Sequence, residues 1–441
     1  MADDDTSNKP PEGRLVRFGK MATLGARLTG DLVSRTASLM TGTESDFDQK
    51  AATRIVETLG DLKGAAMKLG QMLSMDPTIL SGEGRKLLAK LQSQAPKVPW
   101  EEMEDVLIDE LGGPPAEKFA TFDQVPIAAA SLGQVYRART HDGRDVAVKV
   151  QYPGIGKAIL SDLDNLRTVA RTLGVSAVIP ESKEYYEEIR QSLSKELDYK
   201  LEAAAAKEFR EKVVEWPHLV VPEVLDELSA TRVLTTQLYE GLTLSKFAES
   251  GADNDARYRV SCQLTHLLFG PLYVHGLIHA DPHPGNFIIT SDGRFVVLDF
   301  GAVKHLSPQY VTVIKETMEM LLSDAPIVEV MPSLLKAGYN FVGKDLPFAE
   351  KMLNEFREIL QRPVARDGYD YSTCHMAEDI RKLGRKYMLK LIEIRSPAEA
   401  VMFYRTLAGG SFNMRALAAK GNFRKVFENE LGLRGPVRLG S

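Results

Sequence analysis

The residues best suited to chemistry lie in one stretch, His279-Ala280-Asp281-Pro282-His283-Pro284-Gly285-Asn286. Asp281 and Asn286 stand five residues apart: a carboxylate able to orient or deprotonate an attacking group, and an amide oxygen able to hold a hard cation. Thirteen residues beyond Asn286, the apolar run Phe295-Val296-Val297-Leu298 ends in Asp299-Phe300-Gly301. A carboxylate at the end of a strand, followed by a flexible glycine, suits a magnesium ion that bridges phosphates. An Asp-Phe-Gly tripeptide arises often by chance, and carboxylates in turn-rich loops often only cap helices. The spacing of 0, +5 and +18 on a strand-flanked loop selects phosphoryl transfer instead. It makes Asp281 the candidate catalytic residue and Asn286 and Asp299 the candidate metal ligands.

A cation belongs with that set. Asp145-Val146-Ala147-Val148-Lys149-Val150 places one lysine inside an apolar strand, where burial is costly without an anion. An edge strand with the ammonium in water would also account for it. Taken with the downstream triad, Lys149 is the candidate contact for the α- and β-phosphates of ATP. Such a lysine is usually held by a glutamate on a neighbouring helix, and Glu188, Glu196 and Glu202 are the candidates. On one continuous helix Glu196 and Asp198 point about 200° apart, so they do not serve one purpose. About 20 residues before Lys149, where a glycine-rich phosphate loop is expected, stands Ala128-Ala129-Ala130-Ser131. Alanine disfavours positive φ and adds a methyl group where backbone amides approach phosphate, so this loop cradles phosphates less freely than glycine would.

The elements that position these groups follow from periodicity. Apolar residues at helical spacing predict helices over about 14–40, 46–73, 84–93 and 100–111. Two strands are expected over 127–139 and 145–151, then a long helix over about 183–214, then strands near 219–225 and 231–238. The remainder reads as helical apart from a hairpin over 287–299 turning at Ser291-Asp292-Gly293, and Gln237–Gly241 falls where an adenine-binding hinge is expected. The order describes an α+β chain with a small sheet lobe and a larger helical lobe. Its expected parts are a leader with a basic amphipathic helix (1–45), a helical extension (46–120), a sheet-rich lobe (121–241) and a helical lobe (242–441).

Bulk properties narrow the class. The chain has 441 residues, 44% of them hydrophobic and 26% charged, with a net charge of −5. That balance fills a large core and argues against a general nucleic-acid binder. Two distant cysteines give no zinc spacing and fit a reducing compartment. No apolar run reaches the ~18 residues of a membrane-spanning helix, and the acidic start lacks the pattern of a secretory signal. Arg14, Arg17, Lys20, Arg27 and Arg35 against Glu12 and Asp31 give the first helix a net of +3 (five minus two), suited either to a membrane surface or to packing on its own protein. A cytoplasmic protein, or one peripheral to the inner face of a membrane, is the expectation.

These residues together resemble the AarF/UbiB family of atypical kinases over about residues 46–428. The marks are Lys68-Leu69-Gly70-Gln71, the alanine-rich loop, Glu196-Leu197-Asp198, and Asp281-Pro282-His283-Pro284-Gly285-Asn286. The resemblance implies a protein-kinase-like two-lobed fold with an N-terminal helical extension over the usual peptide site. It implies that Lys68 meets Glu196, with Gly70, Gln71 and Asp198 completing the family motifs, and it selects Glu202 as the partner of Lys149. It further implies Mg2+ and ATP, and an ATPase or small-molecule kinase supporting ubiquinone (prenyl-quinone) biosynthesis. The implied partners are prenyl-quinone precursors or phenolic lipids, biosynthetic proteins and a membrane surface. The rival classes are a nucleotide-binding scaffold without turnover and a chaperone-like lipid-binding module. Two departures stand out: residues 431–441 carry no apolar span of the kind that anchors some members, and Ala280 replaces the arginine that precedes the catalytic aspartate in ordinary kinases. Control by a phosphorylated activation loop, which uses that arginine, is therefore not expected.

Overall fold

A computed structural model describes residues 98–433, apart from 131, 162, 165–186, 188–189, 191–193, 324–326, 342–345, 388–393 and 396. The helices expected before residue 97, and with them Lys68, Gly70 and Gln71, lie outside the described residues, as does Ser131. Two compact units hold the described chain: residues up to 199 with 228–234, and 200–227 with 235 onward.

The first unit opens with α1 (Trp100–Leu111), which buries Met103, Val106 and Leu107 at i, i+3 and i+4 and ends at Gly112 in the left-handed conformation. Its sheet runs β1 (Thr121–Phe122), β3 (Gly133–Arg139), β4 (Asp145–Gln151) and the start of β6 (Val233–Gln237), with β2 (Ala128–Ala129) paired to β3. Strand β4 alternates as a half-buried strand should. Val146, Val148 and Val150 are fully buried, while Ala147 and Lys149 sit half-buried on the other face. Trp100, Phe119, Phe122 and Tyr136 pack as an aromatic cluster, with neighbouring ring centroids 5.2–5.5 Å apart.

Two elements differ from the sequence expectation. The single strand expected over 127–139 is a tight hairpin: Ala128 pairs with Val135 and Ala129 with Gln134, closed by hydrogen bonds between Ala130 and Gly133. The continuous helix expected over 183–214 breaks at Leu197-Asp198, so Glu196 and Asp198 do not share one helix. The break has a tertiary cause. Gln151 Nε2 donates to the Leu197 carbonyl at 2.8 Å, and the Tyr199 amide donates to the Thr231 carbonyl at 2.9 Å. Both groups are thus diverted from the i to i−4 ladder that a continuous helix needs. A new helix, α2 (Tyr199–Lys212), starts beyond the break.

In the second unit the long helix α3 (Asn254–His275) is capped by the Asp253 side chain on the Ala256 amide and ends at left-handed Gly276. It leads into β8 (Leu277–His279), which pairs antiparallel with β11 (Val303–His305). The expected hairpin is present as β9 (Phe287–Ile289) and β10 (Phe295–Val297), turning at Gly293 with φ +83°. It is flanked by β5 (Leu219–Val220), parallel to β10, and by β7 (Leu242–Thr243). The helices that follow include α4 (Pro308–Leu322), α5 (Leu346–Gln361), α6 (Met376–Lys386) and α7 (Ala398–Leu417). Among the described residues no helix is long and apolar enough to cross a membrane. Cys262 and Cys374 are not joined in a disulfide.

One core contact sets a pH dependence. His266 on α3, 5% exposed, shares a 2.9 Å hydrogen bond between its Nδ1 and His218 Nε2. Burial pulls its pKa from 6.5 down to about 4. A lowered folded-state value means that the unfolded chain takes up the proton first, so stability present above pH 6.5 is lost as pH falls toward 4. The expected loss is about 2 kcal/mol between pH 7 and pH 5. Urea midpoints measured across that range should fall for the wild type and stay flatter for His266→Gln; equal slopes would remove the assignment.

Candidate active site

In the first unit, Lys149 stands opposite Val135 in the β3–β4 ladder, and its ammonium lies 4.8 Å from the centroid of the Tyr199 ring. That contact holds a half-buried cation over an electron-rich face. Ala128 and Ala129 form the exposed edge of the hairpin. Glu196 closes a short helical stretch, and Asp198 lies in the break after it, both half-buried.

The second unit brings Asp281, Asn286 and Asp299 together through its strands. Because Phe287 is in register with Val297, and the Leu298 amide donates to the Asn286 carbonyl at 2.9 Å, the residue before β9 and the residue after β10 emerge at the same open end of the hairpin. The step of 13 from Asn286 to Asp299 is that hairpin, residues 287–297, followed by Leu298. Asn286 Nδ2 donates to Asp281 Oδ2 at 3.0 Å, which turns the Asn286 amide oxygen away from Asp281. Asp299 Oδ1 accepts from the Gly301 amide at 3.0 Å. Fully buried His279 donates from Nε2 to the Asp299 carbonyl at 2.7 Å, tying the two loop segments from behind. Burial pulls the His283 imidazole down, against the charges of Asp281 and Asp299.

Helix α2 supplies the remaining group. Phe209 packs on Phe300 at 5.6 Å and on His279 at 5.9 Å. Glu202, only 7% exposed, stands two turns earlier on the same face. The helix carrying Glu202 is therefore fixed in rotation by the Phe of Asp-Phe-Gly.

Two residues absent from the sequence reading enter from α7. Arg405 Nη2 lies 3.8 Å from Asp281 Oδ1, and Asn413 Nδ2 donates to the Pro282 carbonyl at 2.7 Å. Ala280, where ordinary kinases carry arginine, is fully buried, with its amide on the Ala302 carbonyl, and leaves no room for a long cation. Here the cation reaches the carboxylate from a helix more than a hundred residues downstream. The one local signal for this packing is Gly409-Gly410 inside an apolar helix, which marks a close approach.

The donor set fits magnesium. Asn286 and Asp299 offer hard oxygens, and a phosphate-bridging magnesium takes only one or two ligands from protein and the rest from water and phosphate. Among the described residues no group of three or more His, Cys, Asp or Glu side chains could hold a metal ion by itself.

Comparison with known proteins gives the family and the fold. The family described as the ABC1 atypical kinase-like domain matches residues 90–326. The mitochondrial atypical kinase COQ8B of Rattus norvegicus is 32% identical, over 97% of this chain and 82% of its own length. The mitochondrial atypical kinase coq-8 of Caenorhabditis elegans is 35% identical over 68% of this chain, but that match spans only 42% of its own length. Among solved structures, Rv3197 of Mycobacterium tuberculosis in complex with erythromycin aligns with a TM-score of 0.61 and 29% identity, over 90% of this chain and 97% of the other. The fold is kinase-like.

Proposed function

The chain belongs to the ABC1 atypical kinase-like family, the AarF/UbiB group, and on that premise we propose that it is an Mg-ATP-dependent kinase or ATPase serving prenyl-quinone biosynthesis or lipid homeostasis. The observation carrying this reading is the cluster of Asp281, Asn286 and Asp299, closed by one hairpin and one hydrogen bond.

In this reading Lys149 neutralises the α- and β-phosphates of ATP and Glu202 positions it. Ala128, Ala129, Ala130 and Ser131 line the phosphates, and Asn286 and Asp299 hold magnesium. When bound there, magnesium would supply positive charge that offsets the charge of the phosphates. Asp281 orients the attacking oxygen, from water or a substrate hydroxyl, and takes up its proton as the new P–O bond forms and ADP leaves. Such transfer needs mostly positioning and charge neutralisation, so few groups suffice. The motifs at Lys68, Gly70, Gln71, Glu196 and Asp198 mark the family-specific extension and its contact.

The fate of labelled γ-phosphate tests the reading. An ATPase releases label to water, whereas a kinase leaves it on an acceptor. The assay is run with and without anionic liposomes plus a simple phenol. Turnover that rises with both supports the lipid-linked role. Turnover indifferent to both removes that role, and nucleotide binding without turnover in any condition replaces the enzyme with a scaffold.

A further inference from the structure

Helix α7 touches the catalytic loop along one stripe. Arg405, Gly409 and Asn413 are spaced by four, which places them on one face of a helix. Arg405 meets the Asp281 carboxylate, Gly409 abuts the Pro282 ring, and Asn413 donates to the Pro282 carbonyl. The loop has few other handles. Pro282 and Pro284 lack N–H groups, so this backbone is held chiefly through its acceptors: within the loop Asn286 donates to the Asp281 carbonyl at 3.4 Å, and the Pro282 carbonyl takes its donor from outside the loop. Asn413 is that donor: it is 1% exposed, and its bond joins residues 131 apart in the chain.

The position of α7 is set elsewhere. At its start Glu399 accepts from the Ser307 hydroxyl at 2.8 Å, and at its end the Leu417 carbonyl accepts from Arg257 at 2.8 Å. The helix therefore imposes its position on the loop. A Cβ at Gly409 would fall 2.3 Å from Pro282 Cγ, a contact closer than real Cβ atoms show, so the approach depends on glycine.

We propose that Asn413 is a positioning residue for the phosphoryl-transfer step, fixing Asp281 through the Pro282 carbonyl, with Gly409 as the clearance that lets α7 reach the loop. The assignment rests on the kinase or ATPase reading above. The bond orients the backbone at Pro282, and the residue just before it, Asp281, carries the carboxylate that must face the attacking oxygen. A misplacement of about 1 Å at such a group costs up to roughly a hundredfold in rate.

Two variants test it beside one control. Gly409→Ala raises helix propensity by about 1 kcal/mol, so it keeps the helix while pushing the loop. Asn413→Leu removes the donor. Gly384→Ala on α6, with open space at its Cβ, is the control. Both test variants should lower kcat by about tenfold to a hundredfold. KM for ATP should stay within about twofold, since the uniform binding of nucleotide is untouched. Backbone hydrogen exchange should quicken at Asp281, His283, Gly285 and Asn286, and the control should match the wild type in every respect. In an Asp281→Asn background the further loss of kcat should shrink to about threefold or less, because residues that act as a unit do not add.

Wild-type kcat and exchange in both variants would overturn the proposal, as would losses that multiply fully with that of Asp281→Asn. A wild type without turnover would instead sink the kinase reading, and exchange alone would then decide the clamp: faster supports it, unchanged removes it.

Discussion

Asp299→Asn is expected to lower magnesium-dependent ATP turnover by about a thousandfold, with little change in the fold. The side chains are nearly isosteric, and the Asn amide oxygen can still accept the Gly301 amide that Asp299 Oδ1 accepts at 3.0 Å. The His279 bond is to the backbone carbonyl of residue 299 and is indifferent to the substitution. What disappears is one full negative charge from the proposed cation site, whose other protein oxygen, on Asn286, belongs to a neutral amide. Hard divalent ions bind by charge as much as by number of ligands, so losing the charged one of the two proposed ligands removes most of the hold on magnesium. Phosphate release measured at fixed ATP, with thermal unfolding of the ligand-free protein alongside, separates the two effects. Turnover in the variant equal to the wild type, at equal unfolding temperature, would strip Asp299 of its role.

The part of the candidate site that was legible in the sequence is the part made by short connections. Asp281, Asn286 and Asp299 lie on one loop and one hairpin, so their spacing already encodes their geometry, and the turn at Gly293 was readable from its residue types. Lys149 was legible because β4 alternates and the lysine breaks an apolar pattern. The helix over 183–214 was overread because periodicity sees only local residues. The carbonyl of Leu197 and the amide of Tyr199 are taken by Gln151 and Thr231, which lie about thirty to fifty positions away. Arg405 and Asn413 were illegible for the same reason on a larger scale. They are ordinary helix residues until α7 is set beside a loop more than a hundred residues earlier in the chain.

Gly133→Ala is the second large effect, and it follows from a glycine that the alanine-rich loop retains. Residues 128–130 are alanine where phosphate loops favour glycine, yet Gly133, on the other arm of the hairpin, stays. Its requirement is steric and has nothing to do with phosphate. Gly133 faces Gln151 across the β3–β4 ladder, and a Cβ there would lie 1.9 Å from the Val150 carbonyl oxygen. Because that neighbour is backbone, no rotamer change relieves the overlap; the ladder itself must open. Overpacking of this kind costs about 3 kcal/mol or somewhat more, which lowers the unfolding temperature of a unit this size by roughly 10 °C. Function should suffer beyond the loss of stability. The forced gap lies two positions from the Val135–Lys149 pair, so the lysine ammonium shifts with the end of β4. ATP affinity in the surviving folded fraction should therefore fall, read by calorimetry well below the unfolding transition. Ala129→Gly, at an exposed position of the same hairpin, should cost only about 1 kcal/mol or less. If Gly133→Ala melts and binds nucleotide like the wild type, the β3–β4 register that places Lys149 is wrong.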